Sequence, residues 1–317
     1  MGIFIGTDEA GYGPNLGPLT ITGTRWRVPD IACDLYDELG DAVCQTKAGS
    51  GIWIADSKSV YKPSGSIQAL EENVLATIGF CFGTLPESWS QLIGILSPSL
   101  KTSDWQQQPW FNGNDPCIPI CAKLNRIKEK LNRIKTVALK TEIRLDEVEC
   151  VCLFPSQFNR AVSQDGNKAT VLSRETLGII RRLMGQHVTE ETRIECDKHG
   201  GRSKYNALIQ QWITENFVLI QAEGLEESRY QFEENGNSVT MRFGARGESF
   251  LPTALASMVS KYVREIWMSM WNDYWQIQIP GIRPTKGYPV DAKRFRSQII
   301  AKCDELEIGE SLFWRSR

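Results

Sequence analysis

The chain has 317 residues, 41% of them hydrophobic and 23% charged, with a net charge of −2. These are globular proportions, and the length is enough to bury a sizeable core as one large domain or two smaller ones. No run of about 18 apolar residues occurs, so no membrane span is expected; the near-zero net charge means that a nucleic-acid partner would need a local basic surface. Met1-Gly2-Ile3-Phe4 carries no basic segment and enters apolar sequence at once, which argues against a secretory signal. The nine cysteines are an odd number. Their spacing, as in Cys117-x₃-Cys121 and Cys150-x-Cys152, forms no paired zinc pattern, and reduced thiols in a cytoplasm are expected.

Residues 2–8 are apolar and bounded by turn signals, the pattern of a buried strand. Residues 19–27 alternate and are β-branched, a second strand, and Pro14 and Pro18 lie between the two. Residues 31–44 suggest a short helix. Ser66 can cap a helix over 67–79, with Glu71 and Glu72 in its early turns. Residues 84–118 are rich in Pro, Ser, Gln and Trp with poor periodicity, and an irregular insertion or partner surface is expected there. From 122 to 140, Leu124, Ile127, Leu131 and Ile134 recur at helical spacing opposite Lys and Arg. A strand is expected at 147–154, a helix over 167–186, and a strand from Thr192 that ends on Asp197 before Lys198-His199-Gly200-Gly201. Short strands follow at 217–222, 228–233 and 238–244, the last two joined at Asn235-Gly236-Asn237, a hairpin signal. Pro252 opens a long helix over about 253–276, and a last helix covers 291–304. Strands first, then strands alternating with helices, give an α/β fold with a sheet of mixed direction.

Chemistry concentrates on acids. Asp8 and Glu9 end the first strand, Asp197 ends another just before a double glycine, and Glu265 lies inside the long helix. Adjacent carboxylates at a strand end repel and need a counter-ion, and hard divalent cations prefer such oxygen ligands. Acids on neighbouring strand ends converge if the strands pair, and a helix on the sheet can add a fourth. Four carboxylates can hold two divalent ions about 4 Å apart, an arrangement that activates water against a phosphodiester. Gly11 and Gly13 let backbone approach a ligand closely. An isolated strand-end Asp is ordinarily a turn former, and an isolated helical Glu is ordinarily solvated.

Gly6-Thr7-Asp8-Glu9-Ala10-Gly11-Tyr12-Gly13-Pro14, followed by Gly17-Pro18, resembles the opening motif of the type 2 ribonuclease H (ribonuclease HII) family. Asp56-Ser57-Lys58 is similar to the family's D-S-K segment, and Asn167-Lys168-Ala169-Thr170 more loosely to its N-x-x-x-A-T segment. Ala256-Ser257-Met258-Val259-Ser260-Lys261-Tyr262-Val263-Arg264-Glu265 resembles its A-S-I-x-A-K-V-x-R-D helix. Pro284-Thr285-Lys286-Gly287-Tyr288-Pro289 resembles its G-Y-P-T-K segment with the order permuted. The resemblance implies a ribonuclease H-like α/β fold, a mixed sheet flanked by helices, as a single domain over 1–317. Residues 84–150 would be an insertion longer than the family needs, and 252–317 a helical C-terminal part.

It also implies a metal-dependent endoribonuclease with a two-metal Mg²⁺ or Mn²⁺ site, acting on RNA–DNA hybrids or single ribonucleotides in duplex DNA and leaving a 3′-OH and a 5′-phosphate. Asp8, Glu9, Asp197 and Glu265 would be the catalytic and metal-binding acids. Gly11, Tyr12, Gly13, Lys58, Lys198, Arg202, Lys261, Arg264 and Lys286 would contact substrate. Three departures stand out. Tyr12 occupies the family's arginine position and loses a bidentate phosphate donor; Glu265 stands where type 2 enzymes have Asp, although type 3 enzymes use Glu; and the insertion is long. A non-catalytic module that binds nucleic acid or protein is the alternative.

Further features are read separately. Gly11-x-Gly13-x₃-Gly17 is not a dinucleotide fingerprint, because the spacing is off, prolines interrupt it and no helix follows. Trp267, Trp271 and Trp275 recur every fourth residue, the mark of a packed helix face. His199 could assist proton transfer, but a loop histidine beside an acid is more often incidental. His187 is the only other histidine. Phe313-Trp314-Arg315 could supply an aromatic that stacks on a sugar, or could be a frayed tail.

Overall fold

The computed structural model describes all residues except 48–50, 63–64, 107, 112, 186–187 and 317. His187 and the expected helix end at Gln186 lie outside the described residues. In chain order the elements are β1 (Gly2–Ala10), β2 (Leu19–Val28), α1 (Leu35–Leu39), β3 (Val43–Cys44), β4 (Ile52–Trp53), α2 (Ser57–Val60), α3 (Gln68–Phe82), α4 (Trp89–Leu96), α5 (Thr102–Gln106) and α6 (Leu124–Thr141). Then come β5 (Arg144–Leu153), α7 (Pro155–Asp165), α8 (Lys168–Met184), β6 (Glu191–Asp197), α9 (Asn206–Trp212), β7 (Leu219–Glu223), β8 (Glu227–Glu234), β9 (Asn237–Gly244), α10 (Leu251–Gln278) and α11 (Pro289–Glu305).

Seven strands form one sheet in the order β5-β2-β1-β6-β9-β8-β7, while β3 and β4 make a separate two-residue parallel pair. The sheet is mixed, as expected. β1 runs antiparallel to β2 and parallel to β6, and β6 runs parallel to β9. Strand alternation divides the core into two layers. Ile3 and Ile5 face α8 and α9, whereas Phe4 faces α10, α3 and α6. Among the described residues, no helix is long and apolar enough to cross a membrane.

The central helix α10 lies almost directly on the sheet, and the sequence shows why. Gly6 on β1 has no side chain, and a Cβ there would come within 2.3 Å of the Thr253 nitrogen at the start of α10. The β2 residues that face this helix are threonines rather than large aliphatics. Thr20 Oγ1 donates to the Ser260 carbonyl at 2.9 Å and Thr24 Oγ1 to the Pro252 carbonyl at 3.0 Å, while Ser260 Oγ bonds Thr22 Oγ1 at 2.8 Å. Small residues give close approach, and their hydroxyls satisfy one another, each bond contributing about 1 kcal/mol.

Three expectations need correction. The helix expected over 31–44 is only α1 and a 3-10 turn, because Gly40 takes φ 46° and residues 43–44 leave to pair with 52–53. Residues 84–118 are not irregular throughout. They include α4, capped by Ser88, and turn Trp89, Trp110 and Phe111 into the core. Trp110 stands edge-on to Trp267 and Trp271, with ring centres 5.5 and 4.6 Å away, so the tryptophan stripe of α10 is a packed face that this segment covers. Buried Glu71 ties the same segment down, accepting backbone N–H bonds from Ile120, Cys121 and Ala122 at 2.6–2.7 Å. Finally, residues 313–316 are not a frayed tail: Trp314 bridges Leu16 in antiparallel fashion, and Ser316 N donates to Asn159 Oδ1.

The contact at Gly6 yields a stability prediction. Gly6→Ala forces β1 and α10 apart and is expected to cost about 2–3 kcal/mol in urea unfolding, the range for overpacking a core; an unchanged midpoint would contradict the close approach.

Candidate active site

β1 and β6 are parallel neighbours, with Thr7 opposite Cys196 as their last registered pair. The next residues, Asp8 and Asp197, therefore stand side by side where the β1–β6 pairing ends, each still paired on its other side with β2 or β9, at the carboxyl end of these parallel strands, where open α/β sheets place their ligands. Glu9 follows Asp8 on the other side of the pleat. Carboxylate oxygens of Asp8, Glu9 and Asp197 all lie within 4.8 Å of one another. A local bond holds them: Asp8 Oδ1 accepts from the Glu9 N–H at 2.7 Å, while Ser257 on α10, whose hydroxyl donates to Ser57 Oγ at 3.1 Å, lies near enough to the Asp8 carboxyl to favour its ionised form slightly.

The electrostatics are those of acids without a counter-ion. Burial, then the charges of Glu9 and Asp197, hold Asp8 well above the ordinary aspartate range. Burial, then Asp197 and Glu248, raise Glu9 to about 8; burial, then Glu248, raise Asp197 to about 6. Crowded carboxylates in a low-dielectric pocket resist joint ionisation. An all-oxygen donor set of this kind fits a divalent hard cation.

Sequence reasoning missed Glu248, whose charge acts on all three acids. It sits in the 3-10 turn Gly247–Ser249 between β9 and α10. Gly247 lets that turn close on Asp197, since a Cβ there would lie 3.0 Å from the Asp197 backbone. The usable signal was topological. β9 is parallel to β6, so an acid just after it returns to the same sheet end.

Glu265, in contrast, is not brought to the three-acid group. Its carboxylate lies 2.9 Å from Lys261 and 2.7 Å from Lys286 and accepts the Tyr61 hydroxyl at 2.9 Å. Burial opposes its ionisation, but the two lysines prevail and hold it down at about 2. Its charge is already neutralised. Lys261 and Lys286 are engaged in the same network, Lys286 Nζ also bonding the Tyr61 hydroxyl at 2.8 Å.

The other expected contacts divide by what engages their polar ends. Lys58, exposed at the second residue of α2, is raised by Asp56 first and more weakly by Glu248, Asp8 and Asp197, so the field of the acids reaches it. Gly11, Tyr12 and Gly13 form the turn directly after β1. Lys168 lies 4.5 Å from the Tyr12 ring centre, and Arg202 is near enough to act on the Tyr12 hydroxyl. Lys198 turns inward and donates to the Gly224 carbonyl at 2.6 Å, so it is a structural lysine. Arg264 is buried and donates to the carbonyls of Leu16 and Lys286 at 3.1 Å, bracing the turn from beneath. His199 is buried against Tyr205 and Phe243 with Nδ1 2.9 Å from Ser173 Oγ, and burial pushes it down to about 3, which favours the neutral imidazole packed in the core.

No protein-family model matches the chain, and no curated protein matches its sequence. Among solved structures it is similar to that of the PCNA:RNase HII complex from Archaeoglobus fulgidus, at 13% identity over 99% of this chain and 94% of that one, with a TM-score of 0.44. It is also similar to ribonuclease H2 from Pyrococcus horikoshii OT3 (12% identity, 98% and 92% covered, TM-score 0.48). A third likeness is to Bst-RNase HIII in complex with Mn²⁺ (14%, 99% and 66%, TM-score 0.40). No activity is carried over from these likenesses.

The raised acids set a pH dependence for the metal-free protein. A folded pKa above the unfolded one means that the native state holds more protons, so these groups' contribution is full below about pH 4 and is lost as pH rises towards 8. Asp8→Asn removes one of the repelling charges. It is expected to melt about 2–4 °C above wild type at pH 8 in a chelator, with the difference shrinking at pH 5. A lower melting temperature at pH 8 would contradict the uncompensated cluster.

Proposed function

We propose that this chain is a divergent, ribonuclease H-like, divalent-metal-dependent endoribonuclease that cleaves RNA in RNA–DNA hybrids or single ribonucleotides in duplex DNA. The observation that carries the proposal is the uncompensated group of Asp8, Glu9 and Asp197 beside the Gly11–Gly13 turn. With Mg²⁺ or Mn²⁺ bound, that site would supply Lewis-acid activation of water and of the leaving oxygen.

The chain's own residues supply the rest. Asp8, Glu9 and Asp197 would hold the metal, with Glu248 as the fourth acid in place of Glu265. The Glu9 N–H fixes the Asp8 carboxyl. Lys58 lies within the field of the same acids and is placed to receive a phosphate of the bound strand. Tyr12 offers a ring to a sugar or base where an arginine would offer charge. The Glu265–Lys261–Lys286–Tyr61 network keeps Lys286, partly exposed in the loop between α10 and α11, at a fixed position beside Glu265. The products would carry a 3′-OH and a 5′-phosphate, and a cytoplasmic location goes with the unpaired cysteines. The second reading, a non-catalytic binding module, draws on Tyr12 and on Glu265, whose ion pairs with Lys261 and Lys286 leave it less free to hold a metal.

The test is cleavage of a labelled RNA–DNA hybrid, a DNA duplex with one ribonucleotide, and an all-DNA duplex in Mn²⁺ and in Mg²⁺. Metal-dependent cleavage confined to ribose-containing strands is expected. Glu248→Gln is expected to lower kcat by at least about 100-fold, the scale of losing an essential electrostatic group. Glu265→Gln should instead lower stability by about 3 kcal/mol, because it leaves buried lysine charge unpaired, with kcat reduced far less. Duplex binding without any cleavage would favour the binding module, and equal losses of kcat in both variants would return Glu265 to the active site.

A further inference from the structure

The turn after β1 is shaped from the far end of the chain. Arg315 Nη2 donates to the carbonyls of Gly11, Tyr12 and Pro14, while its backbone N–H donates to the Asn15 carbonyl at 2.8 Å. The side chain is fully enclosed at 2% exposure, with its guanidinium 4.5 Å from the Phe158 ring centre. No carboxylate pairs with it among the described residues. Its Nε and Nη1 are buried without a hydrogen-bond partner, as is Nε of Arg264. Burial, then the like charge of Arg264, lower Arg315 to about 9. The protein thus keeps a costly, unneutralised cation under one turn.

Peptide geometry shows what the cation does there. The peptide bonds of the turn are trans, and in a trans peptide the C=O and the following N–H point in opposite directions. With the Gly11 and Tyr12 carbonyls drawn inward to Arg315, the Tyr12 and Gly13 N–H groups point outward. Neither has a protein acceptor among the described residues, and Gly13 is exposed. Gly11, at φ +90°, permits the conformation; a Cβ there would meet the Pro18 carbonyl at 2.5 Å. Two successive outward amides over a buried positive charge form an anion-binding nest.

We propose that Arg315 is a positioning residue that aims the Tyr12 and Gly13 amides at a phosphate oxygen of the substrate strand. It supplies from beneath the positive field that Tyr12 does not supply from above. The proposal deepens the ribonuclease reading and rests on it for the identity of the ligand.

Three variants test it: Arg315→Met, Arg315→Lys and Gly13→Pro, the last deleting one outward N–H without touching Arg315. Arg315→Met is expected to raise KM for the hybrid about tenfold, roughly the 1.4 kcal/mol of one charge-assisted contact, with kcat within about twofold. Arg315→Lys should recover most of the loss. Gly13→Pro should raise KM similarly, and the Gly13→Pro/Arg315→Met double variant no further, because both act through the same amides. A folded Arg315→Met with wild-type KM, or a double variant whose effects simply add, would overturn the proposal. If Arg315→Met does not fold, Arg315→Lys and Gly13→Pro decide by the same criterion. If wild type cleaves nothing, the ribonuclease reading fails separately, and the same comparison is made on the Kd of an uncleaved fluorescent hybrid: weaker binding in these variants supports the nest, and unchanged binding rejects it.

Discussion

Repulsion among carboxylates gathered at one end of the sheet is the constraint on which the rest of the site depends. Parallel pairing of β1 and β6 puts Asp8 beside Asp197, Glu9 adds a third charge, and burial removes the water that would screen them. Such a group is stable only if it keeps protons or gains a cation. The surrounding structure holds the acids together rather than relieving them. Gly6 admits α10, the Glu9 N–H fixes Asp8, and Gly247 brings the turn with Glu248 onto Asp197.

The contrast with Glu265 shows how local pairing separates an acid with counter-ions from acids crowded against one another. Two turns of α10 beyond Ser257, Glu265 is equally buried, yet Lys261 and Lys286 hold it ionised and the Tyr61 hydroxyl donates to its Oε2. One helix thus carries a residue that serves the open cluster and another that closes an ion-pair network. The same distinction applies to the basic residues. Lys58 lies within the field of the acids, whereas Lys198 and Arg264 spend their donors on backbone carbonyls.

Much of the fold was legible in the sequence because alternation and helical spacing are local signals. β1, β2, β6, the β8–β9 hairpin and α10 lie where the pattern placed them. The three clustered acids were legible because they stand at strand ends next to glycine. What was not legible depended on tertiary contact. Glu248 becomes part of the site only through the parallel register of β9 and β6. Trp89, Trp110 and Phe111 read as irregular sequence because their periodicity is poor, but they fill the space over the α10 tryptophans. Glu265 sat in a family-like word, and only the positions of Lys286 and Tyr61, remote in sequence, revealed its pairing.

The most direct test of the central claim is a calorimetric Mn²⁺ titration at pH 7 in two buffers of different ionisation enthalpy, on wild type and on Asp197→Asn. If the acids retain protons only for lack of a cation, Mn²⁺ binds wild type with release of about one proton or more, and both binding and release fall sharply in the variant. Absence of binding, or binding with no proton release that Asp197→Asn leaves unchanged, would contradict the account.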